Sequence, residues 1–391
     1  MKLRKDKWLD IEFPEAIDFQ EGPGILAKDF RNHGVPLIRL AGMDDGVSLL
    51  NGCNFLDEEL VSRKYEHFKL KKGDIILSTS ATLGKTSFVD DEAVGAIVYT
   101  GLVRMRPKDG KVYAPFIKYL LQSPRFTEQI ESMGVGSVMK HFGPTHLKRI
   151  SVTLPSIDEQ KNISNLFPAL ETAMEHVDVQ EKNLLQLKNK LLSDLFSDKK
   201  EFGNQITAKD FETVRFDKIA INISERVEPK KTELTTYVGL EHLDADNLVI
   251  ERTGTPDDVI GTKLKIYKGD IIFGKRRAYL RKVAVSHFDG IASAHSMILR
   301  ANEKHIEKDF LPYFMQSDAF MNRAVQISEG SLSPTIKVKT LAQQEFTLPK
   351  KEKQKELVAL FKQFDETRQQ LKQQKATLKL LKQKLLNEIL G

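Results

Sequence analysis

Two stretches of the chain place apolar residues at alternating spacings of three and four. The first lies within residues 158–196 and the second within residues 353–390. A heptad pattern of this length predicts two long helices, each of which packs a seam against a partner helix. The predicted seam positions are Ile163, Leu166, Leu170, Ala173, Val177, Leu184, Leu187 and Leu191 in the first stretch, and Leu357, Leu360, Phe364, Thr367, Leu371, Leu378, Leu381 and Leu385 in the second.

Both seams include a glutamine at a matching position, Gln180 in the first and Gln374 in the second. A polar seam residue lowers stability but can fix the register of paired helices. We therefore interpret the two glutamines as a register pin, with an exposed side chain as the alternative. Pro168 predicts a kink or a restart of the first helix, because proline lacks a backbone donor.

The N-terminal end of the first helix is predicted from a capping box, Ser156 with Glu159. The second stretch has Lys350 and Lys353 at the corresponding places and must begin by another means. A continuous helix over residues 158–196 would be about 60 Å long at 1.5 Å per residue. Such a helix would hold two domains at a fixed separation.

The chain as a whole is an internal repeat, which is the strongest signal in the sequence. Residues 116–123 match residues 310–317 at an offset of 194, and the same offset relates other short matches further on. A Lys-Gly-Asp turn at 72–74 recurs at 268–270, at an offset of 196. Two equivalent helices that bury one seam are expected to pair antiparallel, which generates an internal pseudo-twofold axis.

The body of each copy is predicted to be mixed α/β. Apolar, β-branched strands follow the two Lys-Gly-Asp turns, and helical periodicity follows at 115–131 and 309–325. The predicted fold class is therefore mixed α/β, with two tandem domains separated by two long helices that form an antiparallel coiled coil. The predicted boundaries are 1–155 for the first domain, 156–200 for the first helix, 201–349 for the second domain and 350–391 for the second helix.

Length and composition agree with two soluble domains. The chain has 391 residues, 40% of them hydrophobic, and it has one cysteine, Cys53. One cysteine excludes an internal disulfide and a cysteine-based zinc site. We expect a cytoplasmic protein that does not contact membranes, because neither a secretory signal nor an apolar stretch of about 20 residues is evident.

The positive charge is concentrated in two places. The formal net charge is +6, and residues 350–391 alone contain 11 Lys/Arg against 5 Asp/Glu. A second basic concentration lies at 263–282, where Asp270 is the one acidic residue. Such a cluster suits contacts with nucleic-acid phosphates. A solvated basic face is the alternative.

Three possible catalytic motifs do not hold. The run from Thr79 to Thr86 resembles a phosphate-binding loop, but it has Thr79 in place of the first glycine, and no helix start is evident after it. Glu159 and Lys161 imitate a nuclease E-x-K motif, although Glu159 is better explained by the capping box. The nine histidines lack metal-ligand spacing. Methyltransferase tetrapeptides such as N-P-P-aromatic are absent too, so no catalytic site or bound metal is predicted.

The tandem arrangement resembles that of type I restriction-modification specificity subunits. Residues 147–160, which run through Thr-Leu-Pro into Asp-Glu-Gln and then into an amphipathic helix, look like the central conserved region of that family. Residues 347–355 look like its more divergent distal copy, without the Glu-Gln pair in the usual form. The resemblance covers essentially the whole chain.

The resemblance implies a non-catalytic subunit with two target-recognition domains that read an asymmetric, two-part sequence in double-stranded DNA. It also implies two methyltransferase subunits and restriction or translocase subunits as partners. S-adenosylmethionine, ATP and Mg²⁺ would then belong to those partners, with no cofactor bound directly by this chain. The alternatives are a recognition module of a self-contained restriction or methylation enzyme, and a coiled-coil scaffold without sequence-specific DNA binding.

Candidate DNA contacts are polar residues in loops that follow predicted strands or helices. Arginine can hold guanine through two hydrogen bonds, whereas lysine more often contacts phosphate. We further expect the neighbours Arg276 and Arg277 to divide these roles, because adjacent residues of an extended strand point to opposite faces. The candidates are Ser78, Thr79, Ser80, Lys85, Ser137, Lys140 and His141 in the first domain, and Lys275, Arg276, Arg277, Tyr279, Arg281, Ser331, Ser333, Thr335 and Lys337 in the second.

Overall fold

The structure is a computed structural model that describes residues 3–43, 47–79, 84–108, 110–133, 142–197, 202 and 206–391. The chain forms two units. The first consists of Met1–His176 with Gln374–Gly391, and the second of Val177–Gln373. None of the helices within the described ranges has an apolar stretch long enough to span a lipid bilayer.

The first unit combines short strands with helices that follow them in the chain. Its helices and strands, ending with the long helix that continues into the second unit, are β1 (Leu9–Glu12), α1 (Phe13–Ala16), β2 (Ile17–Glu21), β3 (Phe30–Arg31), β4 (Val35–Ile38), β5 (Asn54–Leu56), α2 (Glu58–Leu60), β6 (Ile75–Ser78), β7 (Thr86–Phe88), β8 (Ile97–Val98), β9 (Leu102–Pro107), α3 (Ala114–Leu120), α4 (Pro124–Ser132), α5 (Pro144–Leu147), β10 (Ser151–Leu154), α6 (Ile157–Ser164) and α7 (Pro168–Leu195).

The second unit has the same kinds of element in a similar order. Its helices and strands, ending with the long helix that continues into the first unit, are β11 (Phe211–Arg215), α8 (Phe216–Ile219), β12 (Ala220–Ile223), β13 (Arg226–Val227), β14 (Tyr237–Val238), β15 (Lys263–Ile266), β16 (Ile271–Gly274), β17 (Val283–Val285), β18 (Gly290–Ala292), β19 (Ser296–Ala301), α9 (Phe310–Gln316), α10 (Asp318–Gln326), α11 (Val338–Ala342), β20 (Glu345–Pro349) and α12 (Lys351–Leu390).

Each unit contains one four-stranded sheet that is antiparallel throughout, and we call it the frame sheet. Its strand order is β2-β9-β6-β7 in the first unit and β12-β19-β16-β17 in the second. The strands β6 and β16 are buried along their whole length. Apolar β-branched residues suit this position because both faces of each strand are covered.

The second sheet of each unit, which we call the variable sheet, differs in strand order. The order is β3-β5-β4-β8 in the first unit and β13-β15-β18-β14 in the second. Each includes one parallel pair, β4 with β8 and β14 with β18. However, β5 pairs with β4, whereas its counterpart β15 pairs with β18. The two copies therefore share the frame sheet and a two-stranded sheet, β1-β10 in the first unit and β11-β20 in the second, and they rearrange the variable sheet.

The aspartate of each Lys-Gly-Asp turn is buried and joins the turn to the frame sheet. Asp74 is 1% exposed, accepts from Lys71 N at 2.7 Å and forms an ion pair with Arg106 at 2.6 Å. Asp270 is likewise 1% exposed and forms an ion pair with Arg300 at 2.8 Å. A buried carboxylate requires such partners. The two turns therefore have a structural role in both copies.

A buried glutamine near the start of each helical segment binds the backbone of the adjacent loops. Gln160 Oε1 accepts from Tyr113 N at 2.8 Å, and its Nε2 donates to Lys111 O and Pro155 O at 3.0 and 2.9 Å. Gln354 makes the corresponding contacts in the second unit, accepting from Glu307 N at 2.7 Å and donating to Pro349 O at 2.8 Å. The distal copy thus keeps the glutamine of the Glu-Gln pair.

The first helical stretch is two helices rather than one. The capping box of Ser156 and Glu159 begins α6 as predicted, and Pro168 begins α7 after a break at residues 165–167. Phe167 in the break is fully buried and stacks on Tyr119 with ring centroids 4.4 Å apart. Proline therefore restarts the helix here instead of kinking it.

The two long helices run antiparallel where they pair within each unit. In the second unit, Glu181 of α7 bonds with Arg368 of α12, and Lys188, further along α7, bonds with Asp365, which precedes Arg368. In the first unit, the beginning of α7 meets the end of α12. The antiparallel direction, the internal repeat and the mixed α/β class predicted from the sequence are confirmed.

The buried seam of these helices differs from the predicted one at every second position. Val177 is 2% exposed, as predicted, but Leu187 is 49% exposed while the next residue, Lys188, is 3% exposed. The same shift by one residue occurs on α12, where Leu381 is 44% exposed and Phe361, instead of Leu360, is fully buried. Leu166 is also exposed, since it lies in the break before α7.

Ion pairs explain this shift, because they draw charged residues into the seam. The alternate inner positions of α7 are occupied by Glu181 and Lys188, which pair with Arg368 and Asp365. Gln180 and Gln374 both have exposed side chains, so they do not fill the seam and the register-pin interpretation does not hold.

Each unit contains one cluster of tyrosine, carboxylate and lysine at the paired helices. In the first, Lys382 and Lys118 both lie 2.7 Å from Glu171, and Tyr119 donates to Glu171 at 3.5 Å. In the second, Lys188 lies 2.6 Å from Asp365, and Tyr313 donates to Asp365 at 2.8 Å. In both clusters the carboxylate comes from one copy of the repeat and the seam lysine from the other.

Candidate nucleic-acid interface

The basic strip of the second unit, residues 275–282, begins where the central strand β16 ends. Gly274 closes this strand, and a Cβ atom there would lie only 3.2–3.3 Å from side-chain atoms of Leu240 and Lys282. Gly274 N donates to Lys282 O at 2.9 Å, which closes the loop that contains the strip. The glycine lets residues 275–281 leave the sheet beside the returning strand β17.

The loop after β16 is strained at two arginines. Arg277 and Arg281 adopt the left-handed region with φ of 56° and 54°, and Asp246 is the other described non-glycine residue with positive φ. The left-handed region costs an L-residue about 1–2 kcal/mol. Strain of this kind concentrates at functional sites, where a side chain must be presented in one direction.

Arg281 holds the loop to the body of the unit. Its guanidinium forms ion pairs with Asp246 at 2.8 Å and Asp318 at 2.9 Å, and it also donates to Gln316 O at 2.5 Å. With three protein acceptors, most of its donors are engaged. This predicted DNA contact therefore has a structural task in the loop.

Arg276 and Arg277 converge on one hydroxyl. Ser333 Oγ accepts from Arg276 Nη2 at 3.1 Å and from Arg277 Nη2 at 3.3 Å. The expectation that the two arginines point to opposite faces does not hold, because Arg277 is left-handed rather than extended. Both guanidinium groups lie beside residues 330–334, which we call the Gly/Ser loop, and Arg277 N also donates to Pro334 O at 2.7 Å.

The Gly/Ser loop completes the same surface. Ser331, Tyr279 and Lys337 are exposed, and Lys337 forms an exposed ion pair with Glu329 at 2.7 Å. Thr335 pairs with Arg276 in an isolated β-bridge. The structure therefore brings Arg276 and Arg277 together with Ser333 and Thr335.

The electrostatics of this surface favour an anion. Burial, followed by repulsion from Arg226, lowers the pKa of Lys275. Burial also lowers the pKa of His295, and the cations Arg276, Lys275 and Lys263 lower it further. Cations that depress the pKa of one another are relieved by a bound negative charge.

The first-unit candidates lie at the corresponding strand end. Ser78 and Thr79 are fully buried, so neither hydroxyl lies on the surface, and Thr79 Oγ1 donates to Gly101 O at 3.1 Å. Lys85 O accepts from Ser78 N at 2.8 Å. The remaining first-domain candidates lie outside the described residues: Ser80, Ser137, Lys140 and His141.

The former phosphate-loop candidate is followed by a strand. Thr86 begins β7, which spans Thr86–Phe88. A phosphate-binding loop of that type requires the start of a helix at this point. Among the described residues, no group of three or more His, Cys, Asp or Glu side chains is arranged to hold a metal ion.

Sequence reasoning missed Arg226 and His295. They come from the strand β13 and from the turn before β19, far from the strip along the chain. Neither belongs to a run or a periodic pattern, so the sequence has no local signal for them. The sheet places them beside the strip only after folding.

Comparison with known proteins gives one family. The family model described as type I restriction modification DNA specificity domain matches residues 7–187 and 249–380. The matched residues cover most of the chain in two segments, which correspond to the two copies of the repeat.

Several curated proteins are similar to this chain. The specificity subunit of the type I restriction enzyme MjaVIII from Methanocaldococcus jannaschii is 24% identical over 50% of this chain and 46% of its own length. The EcoBI specificity subunit from Escherichia coli is 25% identical over 48% of this chain and 38% of its own length. The chain thus spans about half or less of these two relatives. The putative MjaX specificity subunit is 20% identical over 94% of this chain and 89% of its own.

Solved structures show the same fold. A chain from a type I restriction-modification system, studied for complex assembly and conformational transition, matches with a TM-score of 0.62 at 16% identity, covering 99% of this chain and 98% of that one. The S subunit from M. genitalium matches with a TM-score of 0.51 at 14% identity, covering 100% and 98%.

Proposed function

This chain belongs to the family of type I restriction-modification DNA specificity subunits, and we propose that it selects an asymmetric, two-part DNA target with one half read by each unit. A specificity subunit is a non-catalytic subunit that determines DNA specificity. The finer assignment rests on the comparison between the two units. Specificity requires different side chains to be held at equivalent positions of a rigid support.

One observation supports two different half-sites. The frame sheets have the same strand order, but the chain leaves β6 through Ser78 and Thr79, whereas it leaves β16 through Gly274, Lys275 and Arg276. The same frame strand therefore ends in small, buried residues in one unit and in a partly exposed basic strip in the other. Because base readout depends on the side chains presented, the two halves of the target should differ.

In the second unit, we assign base readout or phosphate contact to the two arginines that meet at Ser333. Within the described residues, Arg276 and Arg277 form no ion pair with a carboxylate, unlike Arg281. Guanidinium donors that meet only a hydroxyl and an imidazole remain able to bind guanine or phosphate. Tyr279, Ser331, Thr335 and Lys337 would contribute to the rim of the same contact.

Exchange of one domain tests this assignment. Residues 201–349 would be replaced by the corresponding residues of a relative, and the assembled enzyme would be examined by methylation-sensitive sequencing of the host genome. We expect one half of the target to change while the other half and the spacer stay the same. Exchange of residues 1–155 is the reciprocal control and should change the other half. A change of both halves in either exchange would contradict independent reading.

The long helices are proposed to dock two methyltransferase subunits, which would supply S-adenosylmethionine, and then restriction subunits, which would use ATP and Mg²⁺. Leu187 and Leu381 are 49% and 44% exposed, and they are 194 residues apart, the offset of the repeat. Equivalent exposed leucines on two antiparallel helices suit two copies of one partner.

The stoichiometry of the complex tests the docking proposal. Leu187→Asp or Leu381→Asp should each lower the number of bound methyltransferase subunits from two to one, and the double variant should bind none, as measured by native mass spectrometry. Leu26→Asp is a matched control, because Leu26 is 62% exposed and does not lie on a long helix. Two bound subunits in the double variant would rule out these leucines as contacts.

Two other functions predict different results. A self-contained restriction or methylation enzyme would cleave or methylate DNA without other subunits. A coiled-coil scaffold would show no sequence preference in gel shifts when methyltransferase subunits are present. The convergence of the basic strip and the Gly/Ser loop favours DNA reading over the scaffold.

A further inference from the structure

A cavity of about 290 Å³ lies in the second unit next to the basic strip. Three cations line it, Arg226, Lys263 and Lys275, and none of its lining residues is an aspartate or a glutamate. Arg226 is exposed, whereas Lys263 and Ser296 are buried, so the cavity reaches from the surface into the unit. A concave site with convergent polar groups and a single sign of charge is typical of a ligand site.

Ser296 lines this cavity and has a buried hydroxyl without a partner among the described residues. The residue is 1% exposed, and its Oγ has no hydrogen-bond partner among the described residues. Buried hydroxyls nearly always have a partner, and an exception requires an explanation. An oxygen atom of a bound anion would accept from this hydroxyl.

The cations of the cavity are arranged to receive negative charge. Lys263 Nζ donates to Gly261 O at 2.9 Å and also to Ile260 O, so the backbone holds this ammonium group in place. Lys275 is half-buried, and burial followed by repulsion from Arg226 lowers its pKa. No lining carboxylate neutralises these charges. A phosphate group would relieve the repulsion and accept hydrogen bonds at the same time.

We propose that this cavity binds one phosphate group, with Lys275 and Arg226 as its cationic contacts and the Ser296 hydroxyl as a further donor. The phosphate belongs either to the DNA backbone or to a small phosphate-bearing molecule, since both present the same oxygens. Only the DNA source rests on the proposed function. A phosphate bound here would contact Lys275, the first residue of the basic strip, and would lie next to Arg276.

Binding of inorganic phosphate to the full chain tests the site. Isothermal titration at constant ionic strength would compare the wild type with Ser296→Ala, Lys275→Gln and Lys268→Gln. We expect saturable binding by the wild type and about tenfold weaker binding by the first two variants, because each loses a hydrogen bond to a charged group. Lys268→Gln is the matched control, since this exposed lysine does not line the cavity.

Two results would overturn the site. One is a wild type that shows no saturable phosphate binding. The other is phosphate binding by Ser296→Ala and Lys275→Gln that is as strong as that of the wild type and of Lys268→Gln. Loss of fold does not confuse the outcome, because Ser296→Ala removes a buried hydroxyl that lacks a partner and should leave the melting temperature without phosphate unchanged or higher. A melting curve without phosphate measures this directly.

Competition with duplex DNA identifies the source of the phosphate. If inorganic phosphate displaces the duplex and Ser296→Ala weakens duplex binding, the site holds a backbone phosphate. If phosphate binds without displacing the duplex and Ser296→Ala binds the duplex normally, the ligand is a small phosphate-bearing molecule. The domain-exchange experiment does not depend on this cavity. A wild type without phosphate binding would therefore overturn the site and leave the assignment of the half-targets standing.

Discussion

The two units differ most in the variable sheet, which packs against the frame sheet in each unit. The frame sheets have identical strand order, yet the variable sheets exchange their inner pairing, because β5 joins β4 in the first unit and β15 joins β18 in the second. The parts that repeat bind the long helices and their caps. The parts that diverge also include the segments after β6 and β16, which carry the candidate DNA contacts. The repeated parts therefore maintain the geometry of the fold, and we propose that the divergent parts determine the two halves of the DNA target.

The repeated parts also differ in how deeply their charges are buried. Lys188 in the second unit is 3% exposed and has one carboxylate, Asp365. Lys382 in the first unit is 16% exposed, and it shares Glu171 with a second cation, Lys118. The lysine–carboxylate cluster is therefore more deeply buried in the second unit and has fewer ion pairs. Substitutions in it should lower the stability more there than in the first unit.

Removal of the carboxylate should show the largest difference between the units. Asp365→Ala leaves Lys188 buried and unpaired, and it should lower the free energy of unfolding by about 3–5 kcal/mol. Glu171→Ala should cost less, about 1–3 kcal/mol, because its two lysines keep some contact with water. Urea unfolding followed by circular dichroism measures both.

A second substitution checks the cause. Lys188→Met in the Asp365→Ala background removes the unpaired charge and should restore most of the lost stability. Equal losses for Asp365→Ala and Glu171→Ala, or no recovery in the double variant, would contradict the ranking by burial.

The buried glutamines should show the next largest effect. Gln160→Ala leaves three backbone groups without partners, whereas Gln354→Ala leaves two. Each unsatisfied buried group costs about 1–3 kcal/mol, so the first variant should melt at the lower temperature. Differential scanning calorimetry compares them, with Gln180→Ala as a control on an exposed glutamine. The reverse order of melting temperatures would contradict the ranking by the number of hydrogen bonds lost.

A smaller effect is expected on DNA binding. Arg277→Ala should weaken binding to the specific duplex by about 1–3 kcal/mol and relax preference at one position, in one half of the target, if it reads a base. If it contacts phosphate, binding should weaken on all sequences and the salt dependence should fall by about one. Gel shifts at two salt concentrations distinguish these outcomes, with Lys268→Ala as the control. Wild-type binding by Arg277→Ala and Arg276→Ala alike would remove the strip from the interface.

The smallest effect is a pH dependence that Lys188 of the second unit contributes. Burial lowers the pKa of Lys188, and Arg368 lowers it further, although Asp365 and Asp246 oppose this. Between the lowered folded pKa and the unfolded value the unfolded state holds more protons, so this lysine makes stability rise as pH rises. Tyr313 acts in the opposite direction above its ordinary pKa, since burial raises its own. The stability of the wild type relative to Lys188→Met should therefore increase from pH 7 to 10, and a flat difference would contradict it.

The sequence predicted the repeat, the helix direction and the general place of the basic strip. These depend on patterns that extend over many residues, and chance rarely reproduces them. It misplaced every second seam position, because an apolar residue such as Leu187 is normally preferred in a seam over its neighbour Lys188. Only the folded structure shows that Lys188 forms an ion pair with Asp365 and lies over the ring of Tyr313.

The candidate site was only partly predictable for a similar reason. The strip around Arg276 is a local run and was visible, whereas Arg226, His295 and Ser296 are brought to it by strand pairing. The left-handed conformation of Arg277 also has no sequence signal, since glycine or asparagine would be expected there. As a result, the direction of its side chain could not be inferred from alternation along a strand.

The first unit is built from two distant segments of the chain, and this affects the order in which the two units fold during synthesis. Its core includes Leu386, Ile389 and Leu390, which the ribosome makes more than 200 residues after most of that core. Contacts between such distant residues form late in folding. The second unit, Val177–Gln373, is one continuous segment, so its folding does not depend on residues made after Gln373. The half that is translated later should therefore mature earlier, and the first half should depend on chaperones until the last helix emerges.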